Sequence, residues 1–315
     1  MGERVLESRA TRATTRSLVR LVVARHPVAT FLITCYAITW AVVRPPLRVQ
    51  GGLPFGLALW DSLGNLLGVA VAAFLVVAAS NGRAGVHDLA SRCLRGRVGV
   101  RWYLVALLAM PVAVPLAATA FYGTGPLHNL VDRWPLLLTL LLPRLLVGIV
   151  LFNVTEEIGW MGFLQDRWQD RYGPLRASLL VTIPFALYHL PVWFVDIGLA
   201  GALVSLPVFA VIHFGARVVM GWLYNNTGRS VLLVGLFHSM FNATVLWANR
   251  IVPGPRGTAA SLGAGIVVVA TVTLIIVTRG RLSYQTRPVA QPAELEQPAA
   301  TATEPTPSPN RTVKG

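Results

Sequence analysis

The sequence predicts an all-α fold, a polytopic bundle of transmembrane helices, and three observations carry that reading. The first is composition. Of 315 residues, 54% are hydrophobic and only 13% charged, against about 25% charged in soluble domains, and mean hydropathy is +0.60. An ordinary soluble globule and an intrinsically disordered chain are both excluded. The second is the recurrence of long apolar runs, eight in all. The third is charge asymmetry: 27 basic residues stand against 13 acidic ones, a formal net charge of +14. Lys314 is the one lysine, and the rest of the basic residues are arginines. Those arginines are spread over several loops. That is the pattern of cytoplasmic loops in a membrane protein, not of a nucleic-acid-binding domain with a basic patch and aromatic platforms. No nucleic-acid partner is expected.

Taken in order, residues 1–27 form a basic cytoplasmic arm with Arg4, Arg9, Arg12, Arg16, Arg20 and Arg25. This region is too long and the run after it too apolar for a cleavable signal peptide. Apolar runs follow at 28–43, 57–79, 103–122, 137–164, 177–195, 203–224, 230–248 and 260–278. Each suits a helix crossing a hydrocarbon core of about 30 Å. Backbone polar groups cannot face lipid unpaired, so continuous apolar runs predict helices and argue against a β-barrel. With the N-terminus inside, the cytoplasmic segments are 1–27, 80–102, 165–176, 225–229 and 279–315, which hold most of the arginines. The opposite loops hold Arg44, Arg48, Arg133, Arg250 and Arg256. The expectation is therefore an N-in, C-in multi-pass protein of the cell membrane, with residues 28–278 as the bundle. The stretch 279–315, rich in Pro, Ala, Thr and Glu, cannot bury a core and reads as a disordered cytoplasmic tail. Cys35 lies in an apolar run and Cys93 in an arginine-rich loop, so neither a disulfide nor a cysteine metal site is expected. Asp166, Arg167, Asp170 and Arg171 read as a solvated turn, and Trp102, Trp193, Trp222 and Trp60 as interfacial residues near span ends. The placement of Arg144, beside Pro143, is left open between the outer interface and the bundle interior.

Ionisable residues deep in a membrane are rare and costly, and they usually mark function. Three segments qualify: Glu156–Glu157 on the fourth run, His189 on the fifth, and His238 with Asn242 on the seventh. Counted from cytoplasmic edges at Gln165, Ser178 and Arg229, Glu156, His189 and His238 lie roughly 14, 16 and 14 Å deep at about 1.5 Å per residue. His238 and Asn242 are four apart and share a helix face. Glu156 and Glu157 are adjacent and point about 100° apart, so at most one is expected to aim straight at a given site. A carboxylate beside a histidine suits general-base chemistry on water. A histidine with an amide one turn on can supply donors to a developing oxyanion. A glutamate with two histidines can also hold zinc, leaving a position open for water. The blander alternatives are that a lone membrane histidine or asparagine bonds a neighbouring helix, and His213 is read that way. Burying two carboxylates only to hold helices together is costly.

The motifs E-E-x-x-W-x-G-F-L, F-x-x-x-H-L-P and L-Y-N-N-T-G…L-F-H-S-x-F-N, in this order over about residues 140–247, resemble the CPBP family of intramembrane proteases. That family includes CAAX prenyl endopeptidases and bacteriocin-processing or self-immunity (Abi) proteins. The stretch around Arg97–Leu104 is also similar. The resemblance implies an integral membrane endopeptidase that cleaves a membrane-associated peptide or protein, in a cavity open to the cytoplasm. Glu156 would be the base that activates water and Glu157 its supporting or metal-coordinating neighbour. His189 would act with Glu156, and His238 and Asn242 would serve the oxyanion. If the enzyme is zinc-dependent, Glu157, His189 and His238 are the implied ligands. One position departs from the family pattern: E-E-x-x-x-R has Met161 where the arginine should be. Arg217, on the sixth run, is the candidate replacement cation. Without one, the alternative is a weakened or inactive immunity or scaffold protein of the same fold. A transporter or proton relay would use the same Glu and His cluster, but no inverted repeat supports it.

Overall fold

The computed structural model describes residues 20–43, 62–255 and 257–286. Most of the N-terminal arm, the tail beyond residue 286, Trp60 and the outer-loop arginines Arg44, Arg48 and Arg256 lie outside the described residues. After a helical stretch at 20–25 come α1 (Pro27–Val43), α2 (Gly64–Cys93), α3 (Val100–Tyr122), α4 (Gly125–Asp132), α5 (Leu137–Tyr172), α6 (Pro174–Tyr188), α7 (Leu190–Asn226), α8 (Val231–Ala248) and α9 (Thr258–Thr278). No strand occurs among the described residues.

Six of these, α2, α3, α5, the Ile197–Asn226 part of α7, α8 and α9, are long and apolar enough to cross a membrane. The other two apolar runs of the sequence form the shorter helices α1 and α6. Proline and glycine set several boundaries. Gly173, at φ 80°, stops α5, and Pro174 opens α6 as its first residue, where the missing N–H costs nothing. Pro191, the second residue of α7, again sits in a first turn, and His189 is left at the joint between two helices. Gly198, at φ 73°, then kinks α7. On α8, Ser230 caps the helix by accepting a hydrogen bond from the Leu233 N–H at 3.1 Å, worth about 1 kcal/mol.

Hydrogen bonds between loops sort the helix ends into two groups. At one end Ser230 Oγ donates to the Arg95 carbonyl at 2.6 Å and Asn225 Nδ2 to the Leu282 carbonyl at 3.0 Å. Tyr284 O–H donates to Asp170 at 2.5 Å. Arg95, Arg97, Arg171, Arg176, Arg229 and Arg279 gather at this end. At the other, Arg133 donates to the Arg250 carbonyl at 2.5 Å and Asn129 to the Ile251 carbonyl at 2.9 Å.

Two expectations about the basic end need correction. Much of the 80–102 segment is not a loop: α2 kinks at Gly82 (φ 63°) and continues to Cys93, and Arg92 is buried. Asp166 is not in a solvated turn, because α5 continues through it to Tyr172 and its side chain is buried. The two meet. Arg92 pairs with Asp166 at 3.1 Å and with Asp88 at 2.9 Å. Arg92 also donates to the Tyr224 hydroxyl at 2.7 Å and to the Gly162 carbonyl at 2.8 Å, and Arg229 reaches Asp166 at 3.2 Å. Charge was read from sequence as exposure, but opposite charges from α2, α5 and the turn before α8 offset the cost of each other's burial.

Candidate active site

The glutamate pair sits on a local irregularity of α5. Three π-helical stretches, Leu137–Leu141, Gly148–Phe152 and Ile158–Gln165, interrupt the helix, and the α-turn Asn153–Glu157 lies between the last two. Pro143 withdraws one N–H from the ladder just after the first of them. Such π-turns re-aim side chains and recur at functional sites. Opposite the pair, Gly235 of α8 lies so close to α5 that an added Cβ would meet the Val154 Cα at 2.9 Å. A larger residue there would push His238 away from the glutamates.

Glu157 is fully buried, and both its carboxylate oxygens are held. Oε2 accepts from Arg217 Nη1 at 2.5 Å, and Oε1 accepts from His238 Nδ1 at 2.8 Å. Arg217 is itself fully buried, with its guanidinium 4.1 Å from the Phe185 ring centroid. Thus a cation does stand beside the glutamate pair, supplied by α7, while Met161 is packed into the hydrophobic core. Removing either partner of such a buried pair would leave an uncompensated charge.

Glu156 faces the other way, toward the cavity, with Oε1 3.5 Å from His189 Nε2 and Oε2 3.8 Å from His238 Nδ1. Both glutamates therefore approach His238, although their adjacency predicted that only one would aim there. They reach it because α8 packs against this turn and the ring stands between the two side chains. His189 is oriented by its position at the helix joint. Its backbone N–H turns to the Ala186 carbonyl at 3.2 Å, which frees the Phe185 carbonyl to accept from the His189 ring at 2.8 Å. A carbonyl only accepts, so Nδ1 carries a proton, and Nε2 is the ring atom directed at Glu156.

A cavity of about 300 Å³ opens in front of Glu156. His189, His238 and Asn242 line it, so the structure brings four of the five sequence candidates to one space and leaves Glu157 behind it. Asn242 is on the cavity wall one turn from His238 and is exposed. Sequence reasoning missed Asn65 and Asn153, both of which also line the cavity. Asn65 is oriented by Tyr188, whose hydroxyl donates to its Oδ1 at 2.7 Å. A lone amide inside the apolar run 57–79 was the available signal. Arg144, left undecided from sequence, is on the cavity wall as well. His213 lines the cavity too, and its Nδ1 bonds the Phe209 carbonyl of its own helix at 2.9 Å. That differs from the interhelical role read from sequence.

As for metal, ligand atoms of Glu156, Glu157 and His238 all lie within 4.8 Å of one another. This differs from the implied set of Glu157, His189 and His238: among the described residues Glu156 takes the place of His189.

Residues 135–244, which contain every candidate side chain from Glu156 to Asn242, match the family model described as type II CAAX prenyl endopeptidase Rce1-like. A curated relative, CAAX prenyl protease 2 of Methanococcus maripaludis, is 26% identical over 145 residues, 44% of this chain and 50% of the relative. These matches support the CPBP family. The chain spans about half the length of the curated relative it matches. With six apolar helices long enough to span a bilayer, the CPBP matches mark an integral membrane protein.

Proposed function

We propose that this CPBP-type protein is a membrane endopeptidase that hydrolyses a peptide bond of a membrane-associated substrate, with Glu156 as the base that activates water. One observation carries this reading. His189 Nε2 and Glu156 Oε1 face each other 3.5 Å apart, and both side chains line the same cavity. A carboxylate held beside an imidazole at a cavity wall is the arrangement that general-base activation of water uses.

Glu156 takes one proton of that water as its oxygen attacks the scissile carbonyl carbon, and His189 holds the second hydrogen. The carbonyl oxygen becomes an oxyanion, to which the Asn242 amide donates. His238 Nε2 can also donate to it when the ring carries both protons, since Nδ1–H is engaged by Glu157. Glu156 returns its proton to the amide nitrogen, the C–N bond breaks, and a carboxylate and an amine leave. Glu157 does not touch the substrate. Clamped by Arg217, it positions His238. Because Arg217 supplies the cation absent at Met161, the structure favours this reading over an inactive scaffold.

Zinc is a second reading, favoured by the Glu156, Glu157 and His238 cluster, a donor set that zinc accepts. Bound there, zinc would polarise the carbonyl or lower the pKa of water. Two of these donors are already engaged. His238 Nδ1 spends its proton on Glu157, and Arg217 already neutralises that carboxylate.

The deciding variant is Glu156→Gln, which keeps shape but cannot take a proton. Cleavage of membrane-protein termini, read by proteomics, should vanish while the protein still accumulates in the membrane. Wild-type cleavage by that variant would refute the mechanism. Loss of activity on chelation that zinc alone restores would instead establish the metal reading.

A further inference from the structure

Asn65 is a buried amide that the hydrolytic steps leave unused. It lies on α2, outside the residues that match the family model. It is 2% exposed and lines the same cavity as Glu156 and His189. A buried amide is costly unless it is hydrogen-bonded, and here one end of it is. Oδ1 accepts from the Tyr188 hydroxyl at 2.7 Å. Nδ2, which carries two N–H donors, makes no hydrogen bond among the described residues.

The surroundings hold that amide in one orientation. The opening turns of α2, Gly64–Val71, are π-helical and pack against the Asn153–Glu157 turn of α5, so two irregular turns meet at the glutamate pair. From α1, Thr39 donates to the carbonyl of Gly64, the residue before Asn65, at 3.2 Å. An added Cβ at Gly68 would collide with Thr39 Oγ1, so this approach needs glycine. Tyr188 is buried, and its ring stands edge-on to Trp160 with centroids 5.5 Å apart, which fixes where its hydroxyl points. With Oδ1 taken by that hydroxyl, the N–H groups of Asn65 are left to the cavity. Asn153, the other buried amide on the wall, has no side-chain hydrogen bond among the described residues to orient it.

The rings of Tyr188 and His189 stand edge to face with centroids 5.3 Å apart. Asn65 therefore borders the Glu156 and His189 side of the cavity, whereas His238 and Asn242 belong to α8. A water that gives one hydrogen to Glu156 and the other to His189 keeps two lone pairs. One of them must reach the carbonyl carbon, and a donor on the other fixes that direction. We propose that Asn65 is a further catalytic residue whose Nδ2–H donates to the attacking water, and that Tyr188 is its positioning residue. No proton leaves Asn65. Glu156 takes the proton of the water, and the hydrogen bond from Nδ2 stays with the water oxygen as it enters the tetrahedral intermediate and then the product carboxylate. A donor set in place before the substrate arrives needs no reorganisation during the reaction. The proposal rests on the proteolytic reading of the same site.

The test uses the full-length chain in detergent and a synthetic peptide spanning a cleavage site found by the comparison of membrane-protein termini, with rates expressed per folded molecule. Asn65→Ala should lower kcat about 10²-fold with KM little changed. Asn65→Asp keeps the shape and the acceptor for Tyr188 but has no N–H to donate. It should lower kcat as far, and it gives the same reading if Asn65→Ala fails to fold. Tyr188→Phe should lower kcat about five-fold in the otherwise unaltered chain and not at all when added to Asn65→Ala, because the two residues act through one hydrogen bond. Wild-type kcat in Asn65→Asp overturns the proposal. So does a change confined to KM, and so does a loss from Tyr188→Phe that is equal in both backgrounds. If the unaltered chain shows no Glu156-dependent cleavage, the proteolytic reading fails and this proposal with it. If Glu156-dependent cleavage persists at the wild-type rate through the Asn65 variants, only the role of Asn65 fails.

Discussion

The two sides of the glutamate pair hold similar residue types in opposite states. On the arginine-rich side, Arg92, Asp166, Tyr224 and Arg229 satisfy one another and exclude water. On the other side, Asn65, Asn153, Asn242 and Arg144 line a cavity of about 300 Å³, and Asn242 is exposed there. Burial with a partner makes a polar side chain structural, since its cost is offset within the protein. A polar group held at a cavity wall retains its capacity to bind something else. Between the two regions the glutamates divide in the same way: Glu157 is saturated by Arg217 and His238, and Glu156 looks outward.

Substitutions can break this comparison in decreasing order of their effect on turnover. Glu156→Gln removes the proposed base, and kcat should fall by about 10²–10⁴, measured on detergent-solubilised protein with a cleavable peptide. Asn242→Ala removes one oxyanion donor and should cost about 10²–10³ in kcat with KM little changed. A change confined to KM would assign Asn242 to ground-state binding instead. Arg144→Gln alters a charge at the cavity wall away from the reacting atoms. A few-fold rise in KM at constant kcat is expected for peptides carrying a carboxylate near the scissile bond, and the effect should shrink as salt rises. Asp166→Ala leaves Arg92 without its buried carboxylate partner. It should cost about 3–5 kcal/mol in stability, read by thermal unfolding in detergent, while kcat per folded molecule stays at the wild-type value. A fall in kcat there would mean that the sealed side takes part in the chemistry.

How legible these two regions were differs in an instructive way. Glu156, Glu157, His189, His238 and Asn242 stood out because a membrane-spanning run is apolar by default, so each ionisable residue inside one is conspicuous. Their common depth followed from the constant rise of a helix. Arg92 and Asp166 were misplaced because charge next to a span end looks like a loop, and only the observed lengths of α2 and α5 bury them. Asn65 was passed over because a single amide in an apolar run is common as a contact between helices.

Composition, the spacing of apolar runs and three short motifs were enough to determine an all-helical membrane protein with a Glu, His and Asn cluster at one level. Each of those properties is local or periodic, and period and depth are countable along a chain. The tertiary structure alone decided which cation stands beside the glutamate pair, which glutamate faces the cavity, and which charged residues are buried together. Those depend on how α5, α7 and α8 rotate about their own axes and pack, with Gly235 setting the closest approach. Rotation and packing arise between helices, from contacts that no single run of sequence contains.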